Sequence, residues 1–161
     1  MLNKEGEIVN ILVAYYSRSG LTKNLAENIA KALEADIDEI IDEKKRSGFI
    51  GALKAGKDAF FEKKTNITYD KNPDSYDLVV VGTPVWAGRI TPALRTYLSE
   101  NSFEKIAFFA THGGGQGKVF ENMESLSDKP LDTLGVKMKN AKLTTIHQKV
   151  EKFCDKIKEK T

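Results

Sequence analysis

Cysteine is almost missing from this chain: Cys154 is the only one in 161 residues. That excludes an internal disulfide and any Cys-rich metal site. An excess of one charge is missing too. Lys plus Arg number 25 against 23 Asp plus Glu, a formal net charge of +2, which gives no reason to expect nucleic acid as the main partner. No apolar stretch approaches the roughly 20 residues of a membrane helix, so no membrane partner is expected. The polar start, Met1 to Glu7, lacks the profile of a signal peptide, and a soluble cytoplasmic protein is the expectation. Internal repeats, low-complexity segments and linkers are absent as well, so residues 1–161 are expected to form one domain. What is present is a chain that is 40% hydrophobic and 30% charged, a balance that can bury a real core.

Charge is distributed unevenly. Residues 44–64 hold Lys44, Lys45, Arg46, Lys54, Lys57, Lys63 and Lys64 against Asp58 and Glu62. The same segment carries Phe49, Ile50, Leu53, Phe60 and Phe61. The plain reading is an amphipathic surface helix with a solvated basic face. The sharper reading is a lid or partner surface that attracts an acidic protein or a phosphorylated dinucleotide. Its apolar side chains also offer a surface for a homodimer.

Hydrophobic patterning alternates between strand and helix. Ile8 to Tyr16 and Asp77 to Gly82 read as strands buried on both faces, as does Ile106 to Ala110. Ile37 to Ile41 is a weaker strand, and another is expected between Val136 and Leu143. Leu25, Ile29, Ala32 and Leu33 recur at helical spacing from about Gly20, and Ile146, Val150, Phe153 and Ile157 stripe a closing helix. Pro92 suits the first turn of a helix, and Val119 to Leu126 reads as helical. This order predicts an α/β domain with a parallel sheet covered on both faces. Ligands of such sheets bind beyond the C-terminal strand ends, which directs attention to the loops after Tyr16, Gly82 and Ala110.

Loop one is Ser17, Arg18, Ser19, Gly20, Leu21 and Thr22. Three hydroxyls, a glycine and the free amides of a helix start are what a phosphate needs. The plain alternative is a helix capped by Ser19 with no ligand. Competing motifs fail. No G-x-G-x-x-G is present, and the run Gly113 to Lys118 misses a Walker A motif because His112 and Val119 stand where Gly and Ser or Thr belong. There is no G-x-S-x-G elbow. The strand ending in Gly82-Thr83 offers no Asp for a phospho-accepting receiver.

Loop two is Thr83, Pro84, Val85, Trp86, Ala87 and Gly88, followed by Arg89. The chain's one indole there can stack on a flat ligand, or simply cover the edge of the core. Gly88 allows close backbone approach or a peptide flip against a ring. Loop three runs from Thr111 and His112 through Gly113, Gly114 and Gly115 to Gln116 and Gly117. Its glycines leave backbone N–H groups bare for a polar edge, or make a mobile surface loop. His112 is a candidate ring neighbour or proton donor.

Together the three loops resemble the flavodoxin family. The resemblance runs from about Val9 to Ile157, and the segments YYSRSGLTKNLAENIAKAL and GTPVWAGRITPALRTYL are similar to the branch that includes FMN-dependent reductases. It implies a doubly wound five-stranded parallel sheet in order 2-1-3-4-5 with FMN at its edge. By position, Ser17 through Thr22 would hold the phosphate. Thr83 through Gly88 would line one side of the isoalloxazine, with Trp86 stacking and Ala87 and Gly88 near its N5. Thr111, His112, Gly113, Gly114 and Gly117 would line the other side and the pyrimidine edge. Many members place an aromatic from loop three on the second flavin face. Here no Phe, Tyr or Trp lies between Thr111 and Gly117, so that face is open or covered by His112. Carrier flavodoxins are strongly acidic around the flavin, whereas this chain has a pI ≈ 8.5. The family's long insertion in the last strand is missing, as in short-chain forms.

Three functions follow. An electron carrier would shuttle electrons through FMN to a redox partner protein. An NAD(P)H-dependent reductase would pass them to a small quinone-like acceptor, a reaction that needs no protein nucleophile or general base. A non-catalytic module would keep the fold for partner binding. Steady-state NAD(P)H oxidation separates the first two, and flavin binding separates both from the third.

Overall fold

The computed structural model describes residues 1, 6–43, 64–139 and 141–161. Almost all of the basic segment 44–64 therefore lies outside the described residues. The strands are β1 (Ile11–Tyr15), β2 (Asp36–Glu39), β3 (Ile41–Asp42), β4 (Ile67–Thr68), β5 (Leu78–Pro84), β6 (Ile106–His112) and β7 (Thr133–Lys137). Helices are α1 (Leu21–Leu33), α2 (Pro92–Glu100), α3 (Val119–Glu124) and α4 (Leu143–Lys160). Five strands form one parallel sheet in the order β2-β1-β5-β6-β7, and β3 pairs antiparallel with β4 beside it. The main sheet has the expected order 2-1-3-4-5, with β5, β6 and β7 as its third, fourth and fifth strands.

The apolar runs are continuous because alternate residues feed two cores. Ile11, Val13 and Tyr15 join Leu78, Val80, Ala107 and Phe109 under α1 and α4, where Leu25, Ile29, Leu33, Val150, Phe153 and Ile157 meet them. Leu12, Ala14 and Tyr16 face the other way with Val79, Val81 and Phe108, against Leu94, Tyr97 and Leu98 of α2 and Val119 and Met123 of α3. Thr91 starts α2 as its cap, accepting from Leu94 N–H at 3.4 Å, with Pro92 in the first turn.

Two strand expectations are corrected. The last strand occupies 133–137, about three residues earlier than the expected 136–143. It is an edge strand in which only Leu134 and Val136 are buried, with Gly135 between them. So short an alternation, broken by glycine, carries little signal. The expected strand 37–41 is two pieces: Ile40 is buried between them, and its N–H bonds the Tyr15 carbonyl at 2.8 Å. The chain then leaves the main sheet to pair with β4.

Cys154 is 1% exposed, and burial pushes its thiol up to about 11. At pH 8 native alkylation is expected to run about two orders of magnitude slower than in denaturant, because the thiolate is the nucleophile. Equal rates in a timed reagent assay would place the thiol at the surface. Among the described residues no helix is long and apolar enough to cross a membrane.

Candidate functional site

The chain passes from β1 outward to β2 and later returns to the other side of β1 as β5. The loops after β1 and β5 thus diverge, and a crevice opens at the carboxyl ends of the strands. A cleft of ≈ 320 Å³ lies there, within the size range of small-molecule sites.

Loop one supplies Ser19 and Leu21 to its wall. Gly20 is the N-cap of α1, so no side chain caps the helix, and no acidic residue sits in its first turn. The expected alternative, capping by Ser19, is not what the loop does. Ser17 Oγ instead accepts from Gly20 N–H at 3.1 Å and closes the turn. The first amides of α1 keep their partial positive charge for an anion. Thr22 is buried, its hydroxyl 2.8 Å from that of Thr111, which ties loop one to loop three.

Loop two supplies Pro84, Val85 and Trp86. Trp86 and Arg89 exchange two backbone bonds, 3.0 and 2.9 Å, across Ala87 and Gly88. Both central residues have positive φ, +49° and +73°, as a type I′ hairpin requires. The turn presents Trp86 against Tyr16, edge to face, with ring centroids 5.6 Å apart. The indole is half-buried on the second core, so it both covers the core edge and walls the cleft. Thr83 lies elsewhere. It is fully buried, its hydroxyl donating to the Pro84 carbonyl at 3.0 Å and lying 3.2 Å from Thr91 Oγ1, and it does not reach the cleft.

Loop three supplies Thr111, His112 and Gly113. Gly113, Gly114 and Gly115 have open space where a Cβ would stand. Gly117 does not. Its backbone lies against Gly88, and Lys118 N–H bonds the Gly88 carbonyl at 2.7 Å. Loops two and three are therefore clasped. The clasp holds the Gly88–Arg89 peptide, so the flip expected at Gly88 is restricted to the peptide before it. Arg18, Gly20, Ala87, Gly88, Gly114 and Gly117 build or flank these loops without lining the cleft.

Met138 and Lys139 complete the wall. The sequence reading missed both because it placed the last strand too late. With β7 ending at Lys137 they open a fourth loop at the same sheet edge, and Met138 N–H bonds the His112 carbonyl at 2.9 Å. His112 sits opposite Lys137 in the β6–β7 register. Burial, then Lys137 and Lys149, hold its imidazole below the usual histidine range by disfavouring the charged form. Its Nδ1 is buried without a hydrogen-bond partner, which costs about 1–3 kcal/mol unless something pairs with it.

A groove of ≈ 390 Å³ between α1 and α4 is slightly larger. None of the side chains lining it has a buried unpartnered polar atom. Among the described residues no group of three or more His, Cys, Asp or Glu is arranged to hold a metal.

No family model matches the chain, and no curated protein matches it. Solved structures do. A flavoprotein from Lactobacillus acidophilus NCFM, in complex with FMN, is 23% identical with a TM-score of 0.68, over 80% of this chain and 93% of its own. Oxidised flavodoxin 2 from Bacillus cereus is 17% identical with a TM-score of 0.59, over 94% and 99%. Two-electron reduced Megasphaera elsdenii flavodoxin is 14% identical with a TM-score of 0.56, over 90% and 98%. The fold of this chain is the flavodoxin-like α/β fold.

Proposed function

We propose that the chain is an FMN-binding redox protein. One observation carries the reading: Ser19 and Leu21 at the uncapped start of α1 share one cleft with Trp86 and with Thr111 to Gly113. A phosphate and a flat ring joined in one molecule match that wall. Ser19 and the first α1 amides would hold the phosphate, and the indole, braced by Tyr16, would stack on the ring. The open glycines would offer N–H donors to its polar edge. Bound FMN would supply the electron-storing ring, while the chain binds it, orients it and limits its exposure to water. The same fold in a flavoprotein solved with FMN supports the reading as analogy.

The test is an absorption spectrum before and after FMN addition and desalting. A retained yellow protein with altered flavin bands is expected, and a colourless protein sinks the reading. Ser19→Ala is expected to weaken FMN about tenfold, the size of a charge-assisted hydrogen bond, and riboflavin less than about twofold. Equal losses for both ligands remove the phosphate assignment.

A second reading, an NAD(P)H-dependent reductase of a quinone-like acceptor, draws on loop three. Gly113 to Gly115 leave open space and no aromatic follows Thr111 up to Gly117, so a ring stacked on Trp86 keeps one face accessible. Anaerobic NADPH or NADH separates the readings: rapid bleaching of the flavin supports the reductase, and a stable yellow spectrum supports the carrier.

A further inference from the structure

The formal net charge of +2 hides a separation of charge along the strands. Residues 17–26, 83–99, 111–120 and 137–150 contain no Asp or Glu, although the chain has 23 of them. These stretches run from the last residues of β1, β5, β6 and β7 through the loops into the helices that follow, so they make up the edge that holds the cleft. Their exposed lysines are Lys118 after loop three, Lys137 and Lys139 at the end of β7, and Lys142 and Lys149 at the cap and second turn of α4. Lys139 lines the cleft itself, and Lys137 and Lys149 act on the His112 imidazole in its wall. Among the described residues none of these lysines makes an ion pair. Acidic residues stand at the opposite ends of the same strands: Asp77 precedes β5, Glu104 precedes β6 and Asp132 precedes β7. At the cleft edge Glu39, on the outer side of β1, is taken up by Lys23 at 3.9 Å, and Glu121 follows loop three in α3. Like charges gathered without partners repel one another, and an incoming surface of opposite charge relieves that repulsion. The edge is not only charged. Leu21 and Leu143, the first residues of α1 and α4, are 44% and 73% exposed. Separate apolar side chains beside lysines match the apolar centre and polar rim of a protein interface. A helix lying on a membrane needs a continuous outward apolar face, and the stripe of α4, Ile146, Val150, Phe153 and Ile157, is turned into the core.

We propose that this edge is a docking surface for a protein with an acidic face, Lys137, Lys139 and Lys142 meeting its carboxylates while Leu21 and Leu143 are covered. The polarity is the reverse of the acidic surround of carrier flavodoxins, so the partner class is reversed too. The inference rests on the FMN reading above for the partner's redox role: a protein seated there covers the cleft mouth and comes within reach of its ligand. The surface itself does not depend on the flavin. Docking is salt-sensitive, because attraction between exposed charges is screened beyond about 8 Å at physiological ionic strength.

The test is backbone-amide NMR of the 15N-labelled protein, FMN-loaded and flavin-free, titrated with two protein probes of opposite charge, an acidic plant-type ferredoxin and basic cytochrome c. At low salt the ferredoxin is expected to shift amides within residues 17–23, 84–90, 111–118 and 137–149, and cytochrome c to shift none of them. Raising the salt to about 0.3 M is expected to weaken the ferredoxin complex at least about tenfold. Lys137→Gln, Lys139→Gln and Lys142→Gln combined are expected to weaken it at least about tenfold as well. The control removes the same charge at the amino edge, from the last turns of α1 and α4 and from the segment before β7. That variant, Lys31→Gln, Lys129→Gln and Lys158→Gln combined, is expected to change the affinity less than about twofold. Equal losses in the two variants, binding of cytochrome c in place of ferredoxin, or no shift with ferredoxin overturn the proposal. So does the same footprint produced by NADPH, or by vesicles of mixed phosphatidylserine and phosphatidylcholine, where ferredoxin produces none. A flavin-loaded protein without the ferredoxin footprint overturns the docking surface and leaves the FMN reading standing. The footprint in a chain that takes up no flavin upholds the docking surface and overturns the FMN reading with the redox role.

Discussion

Gly82→Ala is expected to be among the most destabilising single-atom changes in this protein, lowering unfolding free energy by about 3 kcal/mol. Gly82 lies in β5, with β1 on one side and β6 on the other, directly opposite Phe109 in the β6 register. A Cβ built there falls 1.9 Å from Phe109 Cζ and 2.3–2.4 Å from its Cε atoms. The ring cannot yield, because Phe109 is fully buried among Val13, Val80 and Ile29 in the core beneath α1. Interiors are packed like crystals, so the strain spreads to strands and helices rather than vanishing. Denaturant midpoints check this directly. The double variant Gly82→Ala with Phe109→Leu should recover at least about 1 kcal/mol relative to the sum of the single changes, since the two groups are in contact. Strict additivity would mean that the clash is relieved elsewhere and that the close packing of glycine under phenylalanine is unimportant.

Gly117→Ala is expected to act on the cleft instead of the core. Its φ of +52° lies in the left-handed region, and its Cβ would stand 2.3 Å from the Gly88 oxygen and 2.6 Å from Gly88 Cα. Both obstacles are backbone, so neither can swing aside. The substitution must part loops two and three and break the Lys118–Gly88 bond of 2.7 Å. The backbone penalty and the lost bond together come to about 2 kcal/mol, or about a 30-fold loss in FMN affinity if the clasped arrangement is the binding one. Gly114→Ala is the control, since open space surrounds that position, and its affinity should change less than about threefold. Global unfolding should move little for either, because both residues are exposed. Wild-type affinity in Gly117→Ala would show that the clasp is no part of the site.

These two glycines illustrate how unequally the sequence speaks. Gly117 belongs to a glycine-rich run after a strong strand, so its place in the loop that follows β6 was legible. Its contact with Gly88 was not, because the partner lies 29 positions earlier and nothing in either loop advertises the other. Gly82 ends a Val-Val-Val run and reads locally as the end of a strand. Only the β5–β6 register brings it under Phe109.

The site divides along the same line. Ser19, Trp86 and His112 could be nominated because each is a chemistry-bearing residue just past a recognisable strand. Thr83 was nominated on the same grounds and is instead turned inward, its hydroxyl bonded to Pro84 and Thr91. At the last residues of a strand a one-residue step reverses the face, and local patterning does not say where the strand truly stops. Met138 and Lys139 were missed for that reason as well, since the half-buried edge strand β7 has too weak an alternation to fix its own end.

The sequence by itself determined the architecture. Short apolar runs rich in Val, Ile and Phe read as strands covered on both faces, and their alternation with amphipathic helices leaves a parallel sheet as the consistent solution. It also determined that three loops of polar and glycine character would gather at one edge, because parallel strands all end on the same side. Tertiary structure alone decided which side chains of those loops face the cleft and how the loops are bonded to one another. The same holds for the His112 nitrogen left without a partner. Those outcomes depend on register, on contacts between residues far apart in the chain, and on burial, none of which has a local signature.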